Sequence, residues 1–291
     1  MLSTALVACS GGGTQPGDSC DAKLPCDNGQ ICDLTNPGGS VCLDGSGDVD
    51  SDGIPNDKDF CEHMNGGKYD EDGDGIGDEC DACPIAKPPA TPESDGDGVD
   101  SPCDPDPRTP GDKIVVFNGF NEALPSTWTA SAAWQVKGGE AVMTPTSPGT
   151  FEQVSVRLTV PSSHMAILAS YRIDRIADGA TSSDAGVFGI TRLPLGNITA
   201  TCGGSRSGAL DTLQLTTDAA QVSNPQTNLF DSTSLYRVAE QVNGGTANCV
   251  IAADKENGAV QGSTGGNPLS EVGLTTRGAT VRFPYILVVA R

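Results

Sequence analysis

From Asp112 to Arg291 apolar and polar residues alternate in short runs, and clusters of Gly, Pro, Asn and Asp separate the runs. A period of two sends successive side chains to opposite faces, so each run reads as a half-buried strand. The clearest are Lys113–Phe117, Gln153–Val160, Met165–Arg172, Val187–Thr191, Leu235–Val242, Ala247–Ala253 and Val281–Ala290. Ala209–Leu215 is the exception, a short stripe at helical spacing. The 180 residues from 112 to 291, with roughly ten or more strands, predict a two-sheet β-sandwich. The stiff prolines Pro105, Pro107 and Pro110 mark its boundary, which places the sandwich at residues 108–291.

Upstream the alternation is of a different kind. Acids fall at every second position before a glycine: Asp48, Asp50 and Asp52 before Gly53; Asp70, Asp72 and Asp74 before Gly75; Glu93, Asp95 and Asp97 before Gly98. Each copy continues with a residue whose main-chain oxygen is in line, Ile54, Ile76 or Val99. Asn56 and Asp59, Asp78 and Asp81, and Ser101 and Asp104 then complete the three copies. Oxygen at positions 1, 3, 5, 7, 9 and 12 with glycine at 6 is the layout of a Ca²⁺ loop. The competing reading is a solvated acidic linker. Between residues 44 and 106 there are 20 acids and 3 lysines, 3 − 20 = −17 of the chain's −21. So dense a charge repels itself unless cations enter, and random acidity would not keep a spacing of 22 and 23 residues. Calcium is the expected cofactor.

An EF-hand uses the same loop but needs a helix on each side. Here Pro55, Pro84, Pro88, Pro89 and Pro92 occupy the flanks, where no useful helix forms. The stretch Asp48–Cys61, followed by Gly77-Asp78-Glu79-Cys80-Asp81-Ala82-Cys83-Pro84, resembles the thrombospondin type 3 repeat. That resemblance implies an irregular chain wrapped around calcium over residues 44–107, with successive repeats linked by disulfides, Cys61–Cys80 and Cys83–Cys103. The third copy departs from the pattern at Glu93 and Ser101, and its ion is expected to be the weakest held.

Residues 20–43 contain Cys20, Cys26, Cys32 and Cys42. The segment is too short for a core, so two disulfides of undetermined pairing must hold it. Cys202 and Cys249 are the sandwich's own cysteines and are expected to form a bridge. Zinc at Cys80-x-x-Cys83 is the weaker alternative, because the thiolates sit among carboxylates. Ten cysteines beyond Cys9 imply an oxidising compartment. Leu6-Val7-Ala8-Cys9 resembles a bacterial lipobox, which implies a lipid-modified Cys9, a tether through residue 19 and an outer-membrane or cell-surface location. It lacks a basic n-region, as a start codon placed too late would explain. The acidic balance excludes nucleic acid as a partner.

Phe117-Asn118-Gly119-Phe120 through Trp134-Gln135-Val136-Lys137-Gly138-Gly139, and the ending Val272–Val289, resemble the concanavalin A-like, laminin G-type jelly roll. The resemblance implies that the first and last strands pair, and that a glycan or a surface protein is the ligand. Glycosidases on this fold need two carboxylates about the bond. Glu122, Glu140, Glu152, Glu240 and Glu271 are scattered, His164 is the domain's single histidine, and no Gly-x-Ser-x-Gly elbow occurs. The expectation is a calcium-stabilised adhesion or recognition protein with no catalytic residue. The alternatives are a carbohydrate-active enzyme and a purely structural envelope protein. Trp128 and Trp134 read as core anchors.

Overall fold

The computed structural model describes residues 15–21, 23–87, 95–193, 196–254 and 257–291. The chain divides into two compact units, Met1–Lys87 and Pro88–Arg291. The third acidic loop therefore belongs to the unit that holds the sandwich.

In the first unit, β1 (Gln30–Asp33) and β2 (Val41–Asp44) pair antiparallel with Cys32 opposite Cys42. Disulfides Cys20–Cys32 and Cys26–Cys42 settle the pairing that the spacing left open. Beyond β2 the chain is irregular apart from a 3₁₀ turn at Asn56–Lys58, and no α-helix flanks either of its loops among the described residues. Asp33, fully buried, ties β1 to the segment beyond the first loop. Its Oδ1 accepts the N–H of Thr35 and of Asn36, and its Oδ2 pairs with His63 Nε2 at 2.7 Å.

Among the described residues the second unit has sixteen strands. They are β3 (Lys113–Asn118), β4 (Trp128–Ala130), β5 (Trp134–Val136), β6 (Ala141–Met143), β7 (Phe151–Ser162), β8 (His164–Ile176), β9 (Ser182–Leu193) and β10 (Gly196–Ser207). The second half runs β11 (Leu210–Thr216), β12 (Gln221–Gln226), β13 (Tyr236–Asn243), β14 (Thr246–Ala252), β15 (Asn257–Ser263), β16 (Leu269–Arg277), β17 (Ala279–Phe283) and β18 (Ile286–Ala290). One sheet has the order β12-β11-β10-β9-β16-β7-β4. The other runs β15-β14-β13-β8-β17-β6-β5, with β18 lying between β8 and β3. The whole is a two-sheet, jelly-roll-like β-sandwich, and β3 pairs with β18, first strand with last.

Strand alternation builds the core directly. Val187 on β9, Leu213 and Leu215 on β11, and Leu274 on β16 face Ile167 and Tyr171 on β8, Val238 on β13 and Ile251 on β14. Burial of such side chains stabilises the fold by about 1.5–3 kcal/mol each. Cys202 on β10 is bonded to Cys249 on β14, one strand from each sheet. Two sequence expectations change. Ala209–Leu215 is not helical: residues 210–216 form β11, with Asp211, Leu213 and Leu215 buried in alternation. Val281–Ala290 is two strands rather than one, broken at Pro284, which has no N–H for a ladder. Trp134 is buried against Phe283, while Trp128 is half-buried with an edge toward Phe120.

Candidate metal centres and a polar groove

Each acidic loop closes on itself through Asx-type turns, in which a carboxylate accepts a nearby backbone N–H. In the first, Asp48 accepts Gly53 N–H at 3.1 Å, Asp50 accepts Asp52 N–H at 3.2 Å, and Asp52 accepts Ile54 N–H at 2.7 Å. The second repeats these contacts with Asp70 to Gly75, Asp72 to Asp74 and Asp74 to Ile76. In the third, Asp97 accepts Val99 N–H at 3.0 Å. The outcome is convergence. One carboxylate oxygen from each of Asp48, Asp50 and Asp52 lies within 4.8 Å of the others, and the same holds for Asp70, Asp72 and Asp74, and for Asp95, Asp97 and Asp104. Gly53, Gly75 and Gly98 at position 6 all have φ between +90° and +97°, the left-handed turn that glycine adopts without strain.

These oxygens are held where bare negative charge is costly. Oδ2 of Asp50, Asp72 and Asp104 is buried and has no hydrogen-bond partner. Burial pushes Asp59, Asp72 and Asp104 above the usual carboxylate range, and burial beside Glu71 and Glu79 pushes Asp78 up to about 7. An orphaned buried carboxylate needs a cation or a proton. Oxygen donors in a cluster of this size suit a hard ion such as Ca²⁺.

The other expected ligands also accept backbone N–H groups, as the clustered aspartates do. Asn56 Oδ1 accepts Val49 N–H at 3.1 Å, and its Nδ2 donates to the Asp44 carbonyl at 2.7 Å. Asp78 accepts Glu71 N–H at 2.8 Å in the same register. Asp59 and Asp81, at position 12, accept Cys61 and Cys83 N–H. Ile54, Ile76 and Val99 follow the position-6 glycines directly, and Ser101 lies two residues past Val99. Glu93 and Cys9 lie outside the described residues. Cys61 is bonded to Cys80, and Cys83 and Cys103 are also disulfide-bonded, so neither Cys80 nor Cys83 is a thiolate for zinc. Among residues the loop pattern did not single out, Asp112 is 2% exposed with its Oδ2 buried and without a hydrogen-bond partner.

A second site lies on the face of the seven-stranded sheet turned away from the core. Register places Gln214, Gly203, Gly186, Thr275 and Gln153 side by side across five strands. The two glycines leave the floor bare, because a Cβ on Gly186 would stand 2.1 Å from the Cys202 carbonyl and one on Gly203 2.3 Å from that of Ala185. Beside this row run Ser205, Asp184, Arg277 and Phe151. All of these but Gln153 line a groove of about 310 Å³, with Thr201, Thr216 and Gln221 on the opposite side. Sequence reasoning missed this groove. Alternation could assign its residues to an outward face, but only strand order brings them together. Glu271, outside the groove lining, is held by Ser155 Oγ at 2.7 Å and Arg192 Nε at 2.8 Å.

No family model matches the chain, and no curated protein matches its sequence. Solved structures of similar architecture do exist. The CBM2 module of Lactobacillus casei BL23 phage J-1 evolved Dit is 11% identical at TM-score 0.47, over 61% of this chain and 95% of that one. The Bacillus licheniformis β-glucanase is 9% identical at 0.44, over 60% and 97%. The laminarinase from Rhodothermus marinus is 10% identical at 0.45, over 62% and 98%. At these identities the likeness is one of fold. The expectation that the chain is no enzyme is corrected here: similar structures include a β-glucanase and a laminarinase, and the exclusion of catalysis drawn from the sequence does not stand.

Proposed function

We propose that residues 48–104 bind calcium and that the sandwich engages a glycan in the groove on its seven-stranded sheet. The protein would then act as a calcium-stabilised, carbohydrate-directed protein of the cell surface. One observation carries the calcium half: the same convergence of three carboxylates recurs in three loops, and each cluster contains a buried oxygen. Calcium would be held by Asp48, Asp50 and Asp52, by Asp70, Asp72 and Asp74, and by Asp95, Asp97 and Asp104. It would supply charge neutralisation, letting an acidic chain with little secondary structure stay folded.

The groove supports the glycan half. Amide and hydroxyl side chains on a bare floor suit the hydroxyl groups of a sugar, and an exposed Phe151 offers the apolar face on which a ring stacks. Its volume of about 310 Å³ is at the small end of the range for ligand pockets. A second reading, hydrolysis of the bound glycan, has Asp184 in the groove lining, ion-paired to Arg277, and needs a second carboxylate from beyond that lining. Calorimetry with calcium, then a glycan array and a reducing-sugar assay on the array hits, test the whole. Saturable calcium uptake with selective glycan binding supports the reading, and absence of both removes it. Sugar release lost in Asp184→Asn with glycan binding retained would favour the second reading.

A further inference from the structure

Asp52 and Asp97 occupy position 5 of the first and third loops. Oδ2 of each accepts the backbone N–H fourteen residues on, from Gly66 at 2.9 Å and from Gly111 at 3.0 Å. Gly66 and Gly111 share an unusual backbone, with φ of 118° and 123°. The two loops are therefore closed by the same contact in the same conformation, and residue 112 is the counterpart of residue 67. At 67 the chain has glycine, and a Cβ there would stand 2.2 Å from Oδ1 of Asp59, the position-12 residue. At 112 it has an aspartate, whose own N–H also goes to Asp97 Oδ2 at 2.8 Å.

The side chain that Gly67 lacks is thus, in the third loop, a carboxylate that adds its negative charge beside Asp97 and Asp104, the latter the counterpart of Asp59. Both residues are over nine-tenths buried, and Oδ2 of each has no hydrogen-bond partner. Arg291 reaches this segment, and its charge favours an ionised Asp112 in part, but its hydrogen bonds go to Asp106 at 3.3 Å and to the Thr109 carbonyl at 2.9 Å. Like-charged carboxylates pressed together out of water need a cation or a shared proton between them.

We propose that Asp112 is a ligand of the third-loop cation, a hard divalent ion of the calcium class, and that this ion ties the loop to the sandwich. The inference rests on the calcium reading above. Asp112 immediately precedes β3, an edge strand held by β18, and Arg291 immediately follows β18. An ion bound by Asp95, Asp97, Asp104 and Asp112 therefore fixes the start of the edge strand. It also reverses the expectation that the third loop holds its ion most weakly, since Asp112 adds a charge that the first loop lacks.

The test is calcium titration of the full chain by calorimetry, in the wild type, Asp112→Asn and Asp112→Gly, the last restoring the arrangement of the first loop. Both variants are expected to lose one saturable site, or to bind it on the order of tenfold more weakly, with the other sites unchanged. Amide exchange over residues 113–118, slowed by calcium in the wild type, should no longer respond to it in either variant. Unchanged stoichiometry and affinity in either folded variant overturns the inference and leaves a shared proton between Asp104 and Asp112. No saturable uptake by the wild type removes the calcium reading itself, a distinguishable failure.

Discussion

Arg277 holds Asp184 at 2.6 Å while its guanidinium carbon lies 4.4 Å from the centre of the Phe151 ring. Three strands, β16, β9 and β7, meet in this contact, and it forms one wall of the groove. Phe151 is 53% exposed, so its ring contributes more to the surface than to the core. Phe151→Ala is expected to weaken glycan binding about tenfold, equivalent to about 1.4 kcal/mol. Loss of the cation–π contact should lower the melting temperature by no more than about 4 °C. Calorimetry with an array-identified glycan and a thermal melt check both; undiminished binding would move the site off this groove.

Glu240 sits on the core side of β13, between Ile167 of β8 and Cys249 of β14 in register. It is fully buried, neither carboxyl oxygen has a partner, and burial alone pushes it up to about 8. The folded chain keeps a proton there that the unfolded chain releases near the ordinary value of 4.5. Its stabilising contribution is therefore complete below about pH 4.5 and is lost as pH rises toward about 8, at about 1.4 kcal/mol per pH unit. Glu240→Gln cannot ionise. Urea unfolding at several pH values from 5 to 8, with calcium saturating, should show the wild type losing stability relative to the variant. A pH-independent difference between the two would mean that Glu240 is not neutral in the fold.

What the sequence disclosed divides along the range of the interactions involved. The acidic loops were legible because their carboxylates lie within twelve consecutive residues, and Asx-type turns fold them locally. The sandwich was legible because β13 and β14 alternate cleanly. At β11 the leucines at 210 and 213 mimic helical spacing, yet Leu210 is 56% exposed and contributes nothing to a buried stripe. The groove was hidden because β9 and β16 are adjacent in the sheet but far apart in the chain. Asp112 was hidden for a smaller version of the same reason: it lies eight residues past the end of its loop.

Asp72 stands for the calcium loops of the first unit. Its Oδ1 accepts Asp74 N–H at 3.0 Å, and its Oδ2 is buried without a partner. Asp72→Ala removes both the turn contact and a proposed ligand. Limited proteolysis should then cut within residues 60–87 of the variant in calcium as readily as it cuts the wild type in EGTA. The sandwich, whose core shares no residue with this loop, should survive in every case. Equal resistance of the wild type with and without EGTA would mean that the loop is held by its hydrogen bonds alone.

The Cys202–Cys249 bridge crosses the core from β10 to β14, and both residues are buried. It closes a loop of 47 residues, for which chain entropy predicts a stabilisation of about 4 kcal/mol. For a unit of this size that corresponds to a fall of roughly 8–16 °C in melting temperature when the bridge is removed. The sheets themselves do not depend on it: Leu213, Leu215, Ile167 and Ile251 pack around the bridge, and the ladders on both sides run in unbroken register. Cys202→Ala/Cys249→Ala should accordingly fold to the same circular dichroism spectrum and melt earlier. Because alanine leaves unfilled space where two sulfurs lay, part of the loss is packing rather than entropy. Cys202→Val/Cys249→Ala, which refills some of that space, should recover part of the melting temperature. A double variant that melts with the wild type would mean that the loop closure adds nothing to the sandwich.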